Sequence, residues 1–480
     1  MENAQEKAPP PKEMSYLPPL AQIDVQDEHV INHKPLEINL NQDVLNFELK
    51  NVENMSVMDL GGVKMRVTCE LRNDTTNALL NAAEVQAAPS NNFIHTLFST
   101  IQVQVGNKIV SSQDFRYPVR AWIAKMEQMT QKQMELEFET TGFIIEKNME
   151  HEPGDVTHST TTGLLKLKQA SFATDPGADA DVVGTVAKSS NTPAKLNDLF
   201  IKRRAAANTK DGKQHIFEDH IYEVPFTSND YLPYGVEVKV TFTRQANKKY
   251  ALKGDNDYSV VIKDFQLVVP YKKLSLKMFT QIEQKISQKA GLDIWLNRYV
   301  IDEKSIVNDH SVSNFTDLFA NEKLGLLPER LLFTVVTNNM LHGEKDTFNF
   351  QFNHADLKRF SVLLPGGKLR PPLDDPEYDF PNGTTEIAYK QFVKLLNLDR
   401  DGHGSMLTES IFVDSQALFG LRLTPTPTDD QLVQPTGMGH VQITIQWTTQ
   451  TSANKKLLLH GTYKGKLNIG PNRLVTTNFN

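Results

Sequence analysis

Strict alternation of apolar and polar residues is the strongest local pattern in this chain. It runs through Ile101–Val105, Val236–Phe242 and Val441–Trp447, and Val57–Leu71 is a longer region of the same character. Neighbouring side chains of a strand point to opposite faces, so this period predicts strands with one buried face. The sequence therefore predicts a chain built mainly from β-strands.

Shorter apolar or alternating runs add further predicted strands, at Leu36–Leu40, Ile221–Phe226, Val260–Val269, Arg330–Val336, Phe348–Phe352, Phe360–Leu364 and Leu457–Leu459. Turn residues separate them. Gly106-Asn107 is suited to a tight hairpin turn, and Pro365-Gly366-Gly367 to a second turn. Many short strands between turns, in two successive sets, predict an all-β chain with two sandwiches or jelly rolls in tandem.

Helical spacing occurs in three places between the strands. Val119, Trp122, Ile123 and Met126 share one helical face after Tyr117-Pro118, which predicts a helix that covers the preceding hairpin. A second helix is predicted over 274–290, stopped by Gly291, and a third over 387–398. The fold prediction therefore includes a few short helices.

These elements predict two domains. Residues 1–32 form a Pro-rich arm, 33–270 a first jelly roll, 271–293 a connecting helix, and 294–480 a second jelly roll with the C-terminal tail. Residues 150–215 lose periodicity and are predicted to be a surface insertion. A chain of 480 residues has room for two such domains of roughly 200–250 residues each.

Composition and charge exclude several classes of protein. Hydrophobic residues are 39% and charged residues 23%, which is typical of a folded soluble protein, and the net charge of −7 argues against a general nucleic-acid binder. The basic run Lys202-Arg203-Arg204 is interpreted as a solvated loop. The single cysteine, Cys69, cannot form a disulfide within the chain and is expected to be a buried apolar side chain. No signal-peptide core and no transmembrane run is expected, which favours folding in a reducing compartment.

Three polar patterns are candidates for chemistry. Glu218, Asp219, His220 and Glu223 offer a carboxylate pair of the kind glycosidases use, but with no partner opposite them they are interpreted as a solvated strand edge. The segment 399–404 begins like a calcium loop, yet His403 and Ser410 stand at the fifth and twelfth positions, where calcium ligands belong. Leu364-Pro365-Gly366-Gly367 resembles a protease cleavage site and is interpreted as a turn. No catalytic, cofactor or metal site is predicted.

Two collinear stretches resemble a known family. One contains Asn91-Asn92-Phe93-Ile94-His95 and Tyr117-Pro118-Val119-Arg120-Ala121. The other contains Phe315-Thr316-Asp317-Leu318-Phe319, Leu327-Pro328-Glu329-Arg330, Asn338-Asn339 and Phe348-Asn349-Phe350. With 270–290 and 418–425 in the same order, the chain resembles, over roughly residues 35–470, the major capsid protein of Maverick (Polinton) elements and adintoviruses. It departs from that pattern at 150–215 and in the Pro-rich arm.

The resemblance implies a function and partners. It implies an all-β subunit that is a tandem double jelly-roll of two eight-stranded antiparallel sandwiches with a few short helices. It also implies a homotrimer of pseudo-hexagonal outline and an icosahedral shell around double-stranded DNA. Neighbouring capsomers, a single jelly-roll vertex protein and minor capsid proteins are the implied partners, without sequence-specific binding of nucleic acid. The protein is then expected in the virion, made in the host cytoplasm, with the nucleus as a candidate place of assembly.

Two alternatives stay open at this point, since jelly rolls also occur in other proteins. One is a glycan-active enzyme, an amidase or glycosidase, with paired carboxylates in a cleft between the sandwiches. The other is a glycan-binding attachment module, which is compatible with a capsid role. The first would require Glu218 and Glu223 to face a common cleft.

Overall fold

The computed structural model describes most of the chain outside the first residues and the long insertion. The described residues are 25–50, 53–79, 87–112, 114–143, 156–158, 165–167, 214–254, 257–316, 318–319, 326–343, 349–350, 352, 354–365, 367–370, 377–380, 385–395, 407–423, 441–448 and 455–478.

The first half of the chain is a β-sandwich. In chain order its strands are β1 (Val25–His33), β2 (Val44–Leu49), β3 (Ser56–Asp59), β4 (Lys64–Asn73), β5 (Ala87–Pro89), β6 (Phe98–Val105), β7 (Lys108–Ile109), β8 (Val156–His158), β9 (Leu165–Leu167), β10 (His215–His220), β11 (Tyr231–Pro233), β12 (Val238–Arg244), β13 (Leu252–Gly254) and β14 (Tyr258–Leu274). One sheet has the order β10-β4-β14-β3-β11, with β1 also on β14, and the facing sheet has the order β2-β12-β6-β7. All pairings within these sheets are antiparallel.

The second half forms another sandwich. Its strands are β15 (Leu292–Ser305), β16 (Val312–Phe315), β17 (Arg330–Thr337), β18 (Leu357–Leu364), β19 (Lys368–Arg370), β20 (Phe419–Arg422), β21 (Gln442–Trp447), β22 (Lys455–Ile469) and β23 (Val475–Thr477). One sheet has the order β15-β22-β17-β20, with β23 on β22, and the other has the order β16-β21-β18-β19. Here too every pair is antiparallel.

Short helices connect the strands. They are α1 (Phe93–Thr96), α2 (Tyr117–Gln128), α3 (Gln131–Thr141), α4 (Leu276–Ser287), α5 (Asn338–His342), α6 (Glu386–Leu395) and α7 (Glu409–Asp414), with a 3₁₀ turn at Lys248–Tyr250. The helices predicted from spacing at 274–290 and 387–398 correspond to α4 and α6. Ser275 caps α4 by accepting a hydrogen bond from the backbone N–H of Met278, and Gly291 has φ +69°, a conformation that favours glycine.

Alternating segments form strands where a neighbouring strand places its own apolar residues opposite theirs. Ile101, Val103 and Val105 of β6 lie opposite Phe242, Val240 and Val238 of β12, and all six side chains are buried. The hairpin turn after β6 is also present, with φ +56° at Gly106 and β7 paired back onto β6. At Leu364-Pro365-Gly366-Gly367, Gly367 donates a backbone hydrogen bond to Leu364 and joins β18 to β19, which confirms a turn.

Three predicted strands are wrong. Residues 36–40 lie in an irregular segment where Ile38 is fully exposed, and Glu37 instead accepts hydrogen bonds from Asn46. Residues 221–226 follow β10 as a turn with every side chain buried, and Pro225 has no N–H for a ladder. In the run 348–352, the described residues Asn349, Phe350 and Phe352 form a turn and one isolated bridge.

The ends of the predicted domains also differ in detail. Strand β1 begins at Val25, within the range predicted as an arm, and pairs with β14 from Val25 to His33. The strand predicted over Val260–Val269 continues as β14 through Leu274, beyond the predicted end of the first domain at 270, so α4 is shorter than the predicted connecting helix at 271–293. The arm before residue 25, most of the insertion at 150–215, the basic run 202–204 and the calcium-like segment 399–404 lie outside the described residues.

Each sandwich has its own apolar core, and each core contains residues from the other half of the chain. Ile294, Leu296, Leu467, Ile469 and Val475 belong to the core of the first sandwich. The first half in return supplies the core of the second sandwich with Val119, Trp122, Ile123, Met126, Met129, Met134, Phe143 and Tyr250. The two sandwiches are therefore interlocked by side chains as well as joined by the chain.

Candidate functional site

Helix α2 lies between the two sandwiches and supplies side chains to both cores. Tyr117, Ala121 and Ala124 belong to the core of the first sandwich. Val119, Trp122, Ile123 and Met126, the predicted apolar face, belong to the core of the second. The helix contacts β6 of the preceding hairpin, as predicted, and its predicted apolar face packs in the core of the neighbouring sandwich, which was not predicted. Helix α2 therefore holds the two sandwiches against each other, and its contacts form the junction between them.

Trp122 anchors α2 to the second half. Its ring stacks on Phe350, with centroids 4.6 Å apart and an interplanar angle of 8°, and meets Phe143 edge-on. Its indole N–H donates to the Gln416 side-chain oxygen at 3.0 Å, and the Gln416 amide donates to the backbone oxygen of Phe350 at 2.9 Å. An aromatic ring that is fully packed and has its polar atom satisfied is typical of a strong, specific contact.

The same helix carries two buried cations. The first, Lys125, donates from Nζ to Oδ2 of Asp219, and the same oxygen lies 2.9 Å from Nε2 of His95. A carboxylate only accepts, so Nε2 of His95 carries the hydrogen and Nδ1 accepts from the Tyr117 hydroxyl at 2.8 Å. All four side chains are essentially inaccessible to water.

Burial and charge set the protonation states in this cluster. Burial lowers the pKa of His95 to about 4, although Asp219 opposes that shift. Burial alone would raise the pKa of Asp219, but Lys125 and His95 outweigh it and hold that pKa well below its usual range. At neutral pH the cluster is therefore an ion pair beside a neutral histidine.

The second cation, Arg120, stands between two carboxylates. Its Nη1 donates to Oδ2 of Asp114 at 3.0 Å and to the backbone oxygen of Tyr299 at 3.3 Å, and Nη2 lies 2.6 Å from Oε2 of Glu223. Glu223 Oε1 also accepts from the backbone N–H groups of Val224 and Ser112. Burial raises the pKa of Glu223 to about 7 against the opposing effect of Arg120. One guanidinium thus pairs with two carboxylates, and the pKa of one of them, Glu223, lies close to neutral pH.

The network continues into the second sandwich. Arg330, at the start of β17, donates to Glu127 near the end of α2 at 3.0 Å. Ser112 donates its hydroxyl to the backbone oxygen of Tyr299 at 2.7 Å. The ring of Tyr299 stacks on His460 of β22, with centroids 5.4 Å apart. Polar contacts therefore cross the whole junction between the sandwiches.

The carboxylates that were candidates for a glycosidase do not come together as a pair. Asp219 and Glu223 were interpreted as part of a solvated edge, and both are buried in ion pairs, so the prediction is wrong for these two residues. Glu218 points away from them, toward Arg66 at 2.6 Å and Lys64 at 3.8 Å on β4. A depression of about 190 Å³ beside β10 contains neither Glu218 nor Glu223, and is lined by Gly61, His220, Ile221, Tyr222, Phe226, Thr227 and Asn229.

Other chemistry is equally unsupported within the described ranges. No three His, Cys, Asp or Glu side chains there come together in a way that would hold a metal ion. Cys69 is fully buried in β4, and burial raises the pKa of its thiol to about 12, so it is the inert apolar side chain that was predicted. Among the helices that the structure describes, none is long and apolar enough to cross a membrane.

One indirect signal for this site is present in the sequence. His95, Tyr117 and Arg120 belong to the first stretch of the family resemblance, and Arg330 to the second. The structure brings these four polar residues into one junction. Lys125, Glu127 and His460 lie outside both stretches, and no local pattern distinguished them from solvated residues.

Comparisons with known proteins support the fold. No protein-family model and no curated protein sequence matches the chain. A chain of the 3.5 Å cryo-EM structure of the Sputnik virophage matches with TM-score 0.56 and 11% identity, over 99% of this chain and 93% of that one. The mavirus major capsid protein matches with TM-score 0.51 and 11% identity, over 100% and 96%.

The Faustovirus major capsid protein gives a similar result, with TM-score 0.53 and 9% identity over 94% of this chain and 92% of that chain. At such identities the match shows a shared fold. In this chain the matched part includes both sandwiches. The predicted all-β tandem double jelly-roll is confirmed.

Proposed function

We propose that this chain is a major capsid protein, a structural subunit that forms homotrimers of pseudo-hexagonal outline and tiles an icosahedral shell around double-stranded DNA. The observation that carries the proposal is the match over nearly the full length of both partners with two proteins named as major capsid proteins. Two linked sandwiches in each of three subunits give six towers, a shape that tiles a hexagonal lattice.

The junction between the sandwiches supports this proposal physically. A shell subunit must present two sandwiches in one fixed orientation, because lattice contacts on both must form together. Shared cores and buried ion pairs around α2 hold that orientation. Such a junction is a structural device and needs no active site.

The finer assignments extend the same proposal. The chain belongs with the capsid proteins of Maverick elements and adintoviruses on its sequence resemblance. The predicted domains, 33–270 and 294–480, are extended at their ends so that the first holds all of β1 and β14 and the second all of β15. The insertion at 150–215 forms the outward-facing part of the capsomer, and the inner flanks of the sandwiches form trimer contacts. A single jelly-roll vertex protein and minor capsid proteins are the expected partners in the virion, without a catalytic activity of the chain itself.

Light scattering on the purified protein tests the proposal. We expect a particle of about three times the 54.2 kDa chain mass, with a hexagonal outline in negative-stain images. Shells or flat lattices are expected on varying salt and pH. A monomer under every condition would contradict the proposal. Hydrolysis of a glycan that Glu223→Gln abolishes while the fold is kept would favour the enzyme alternative.

A further inference from the structure

His460 occupies an unusual position in the polar junction between the sandwiches. It lies on β22 opposite Leu332 of β17, and Arg330, two residues along β17, points to the same face of the sheet. Strand β15 pairs with the other edge of β22. Its Tyr299 points to the same face as His460 and stacks on the His460 ring. This face of the sheet is the one that meets α2, through the Arg330–Glu127 ion pair.

His460 is buried among charged side chains that are paired with one another. Its side chain is buried, and its Nδ1 makes no hydrogen bond within the described residues. The charged or titratable groups on the elements around it belong to α2, the segment after β10, β15, β17, β20 and β22 itself. They are Arg120, Glu127, Glu223, Tyr299, Glu303, Glu329, Arg330, Arg422, Lys456 and Lys464. Arg120 and Arg330 are the two whose charges act on His460 directly. Arg120 and Arg330 are already paired with carboxylates, and no carboxylate of the described residues forms an ion pair with His460. A proton added to His460 is therefore a buried charge without a counter-charge of its own.

We propose that the junction around α2 is an acid-sensitive latch: protonation of His460 beside Arg120 and Arg330 loosens the second sandwich from α2. The junction is suited to this role because its polar contacts are concentrated on one helix. Only the use of such a latch, in shell disassembly on acidification, rests on the proposed capsid function.

The direction of the pH effect follows from linkage. Burial, with the charges of Arg330 and Arg120, lowers the pKa of His460 from 6.5 to about 3 in the closed junction. The closed form thus binds the proton more weakly than an opened form in which His460 meets water. Stability of the closed junction is fully present above about pH 6.5 and is lost as pH falls toward 3.

Two other groups of the junction titrate in the same range. His95, with a pKa lowered to about 4 beside Asp219, Lys125, Tyr117, Tyr222 and His220, acts in the same direction as His460. Glu223 acts in the opposite direction, because its raised pKa of about 7 lets the closed form take up a proton first. Both groups are kept in a variant of His460, so comparison with wild type isolates the contribution of His460.

Hydrogen exchange of the α2 amides, at Tyr117–Gln128, tests the latch on the intact chain. Wild type and His460→Gln are compared at the same pH from 7.5 to 4.5. At each pH, opening of α2 in wild type is divided by its opening in the variant. This ratio should be about tenfold higher at pH 5.5, and about a hundredfold higher at pH 4.5, than at pH 7.5. Each pH unit below the ordinary histidine pKa gives a factor of ten. The control His310→Gln, at an exposed histidine before β16, should follow wild type.

Opposite results overturn the latch. An unchanged pH dependence in His460→Gln does so, and so does an equal effect of His310→Gln. If His460→Gln does not fold, His460→Asn replaces it. If neither folds, wild type decides: α2 must lose protection at a higher pH than β12 and β21, and simultaneous loss overturns the proposal. If the latch proposal fails, the capsid proposal can still hold, because trimer formation does not depend on the latch. If the protein is monomeric, the exchange experiment still tests the latch.

Discussion

At the scale of single residues, the buried Lys125 of α2 pairs with Asp219, whose environment differs sharply from that of its sequence neighbour Glu218. Glu218 and Asp219 are adjacent carboxylates on β10, and a strand turns them to opposite faces. Glu218 meets Arg66 at a partly exposed surface, whereas Asp219 is buried against Lys125 and His95. Adjacent residues of equal charge therefore have very different energetic roles.

Neutralising Asp219 tests this difference. Asp219→Asn leaves the Lys125 ammonium buried without a counter-charge, so we expect the free energy of unfolding to fall by about 3–5 kcal/mol. Urea unfolding at pH 7.5 measures it. Glu218→Gln is the matched control and should cost less than about 1 kcal/mol, because its ion pairs are solvated. Equal losses in the two variants would contradict the role given to Asp219.

At the scale of elements, periodicity predicted strands and helices where one face is clearly apolar. Strands β12 and β21 followed from alternation, and α2, α4 and α6 from helical spacing. Strand β1 did not, because its exposed, mostly polar residues are held by backbone pairing to β14 and leave no apolar stripe. Conversely, Leu36–Leu40 alternates but has no sheet partner. The periodicity of apolar residues shows which face of an element can be buried. It does not show which other element covers that face.

The same limit applied to the site. The apolar face of α2 was predicted correctly, but its partner was the other sandwich, across a sequence separation that periodicity does not encode. Arg120 and Lys125 lie on that helix between apolar residues, and a charged side chain there is solvated in most proteins. Their burial depends on Asp219 and Glu223, which come from a distant part of the chain. Spacing along the sequence carries no signal for such a pairing.

The apolar face of α2 makes its own prediction. Ile123 is buried in the core of the second sandwich, so Ile123→Ala should lower the free energy of unfolding by about 2–5 kcal/mol through lost contact and a residual cavity. Leu276→Ala on α4 is the control; that side chain is 67% exposed and its loss should cost less than about 0.5 kcal/mol. Urea unfolding of both variants measures the difference. A negligible cost at Ile123 would mean that α2 is not packed against the second sandwich.

At the scale of the whole molecule, the two sandwiches share more than a linker. Several hydrogen bonds cross the junction, including those from Ser112 to the backbone oxygen of Tyr299 and from Asn349 to the backbone oxygen of Tyr250. Arg116 forms an ion pair with Glu303 across the same junction. Because each core also holds side chains from the other half, neither sandwich can unfold without exposing apolar surface of its neighbour.

This sharing predicts how the molecule unfolds. Two-domain chains usually melt in separate steps, but here we expect one calorimetric transition for wild type, since losing either sandwich removes part of the other core. Trp122→Ala deletes the ring that stacks on Phe350 and donates to Gln416, and it should uncouple the halves into two transitions. Trp295→Ala, at a partly exposed tryptophan, should keep a single transition. Two resolved transitions in wild type would show that the sandwiches are thermodynamically independent, and the fixed orientation that the proposed capsid function requires would then have to come from contacts between subunits.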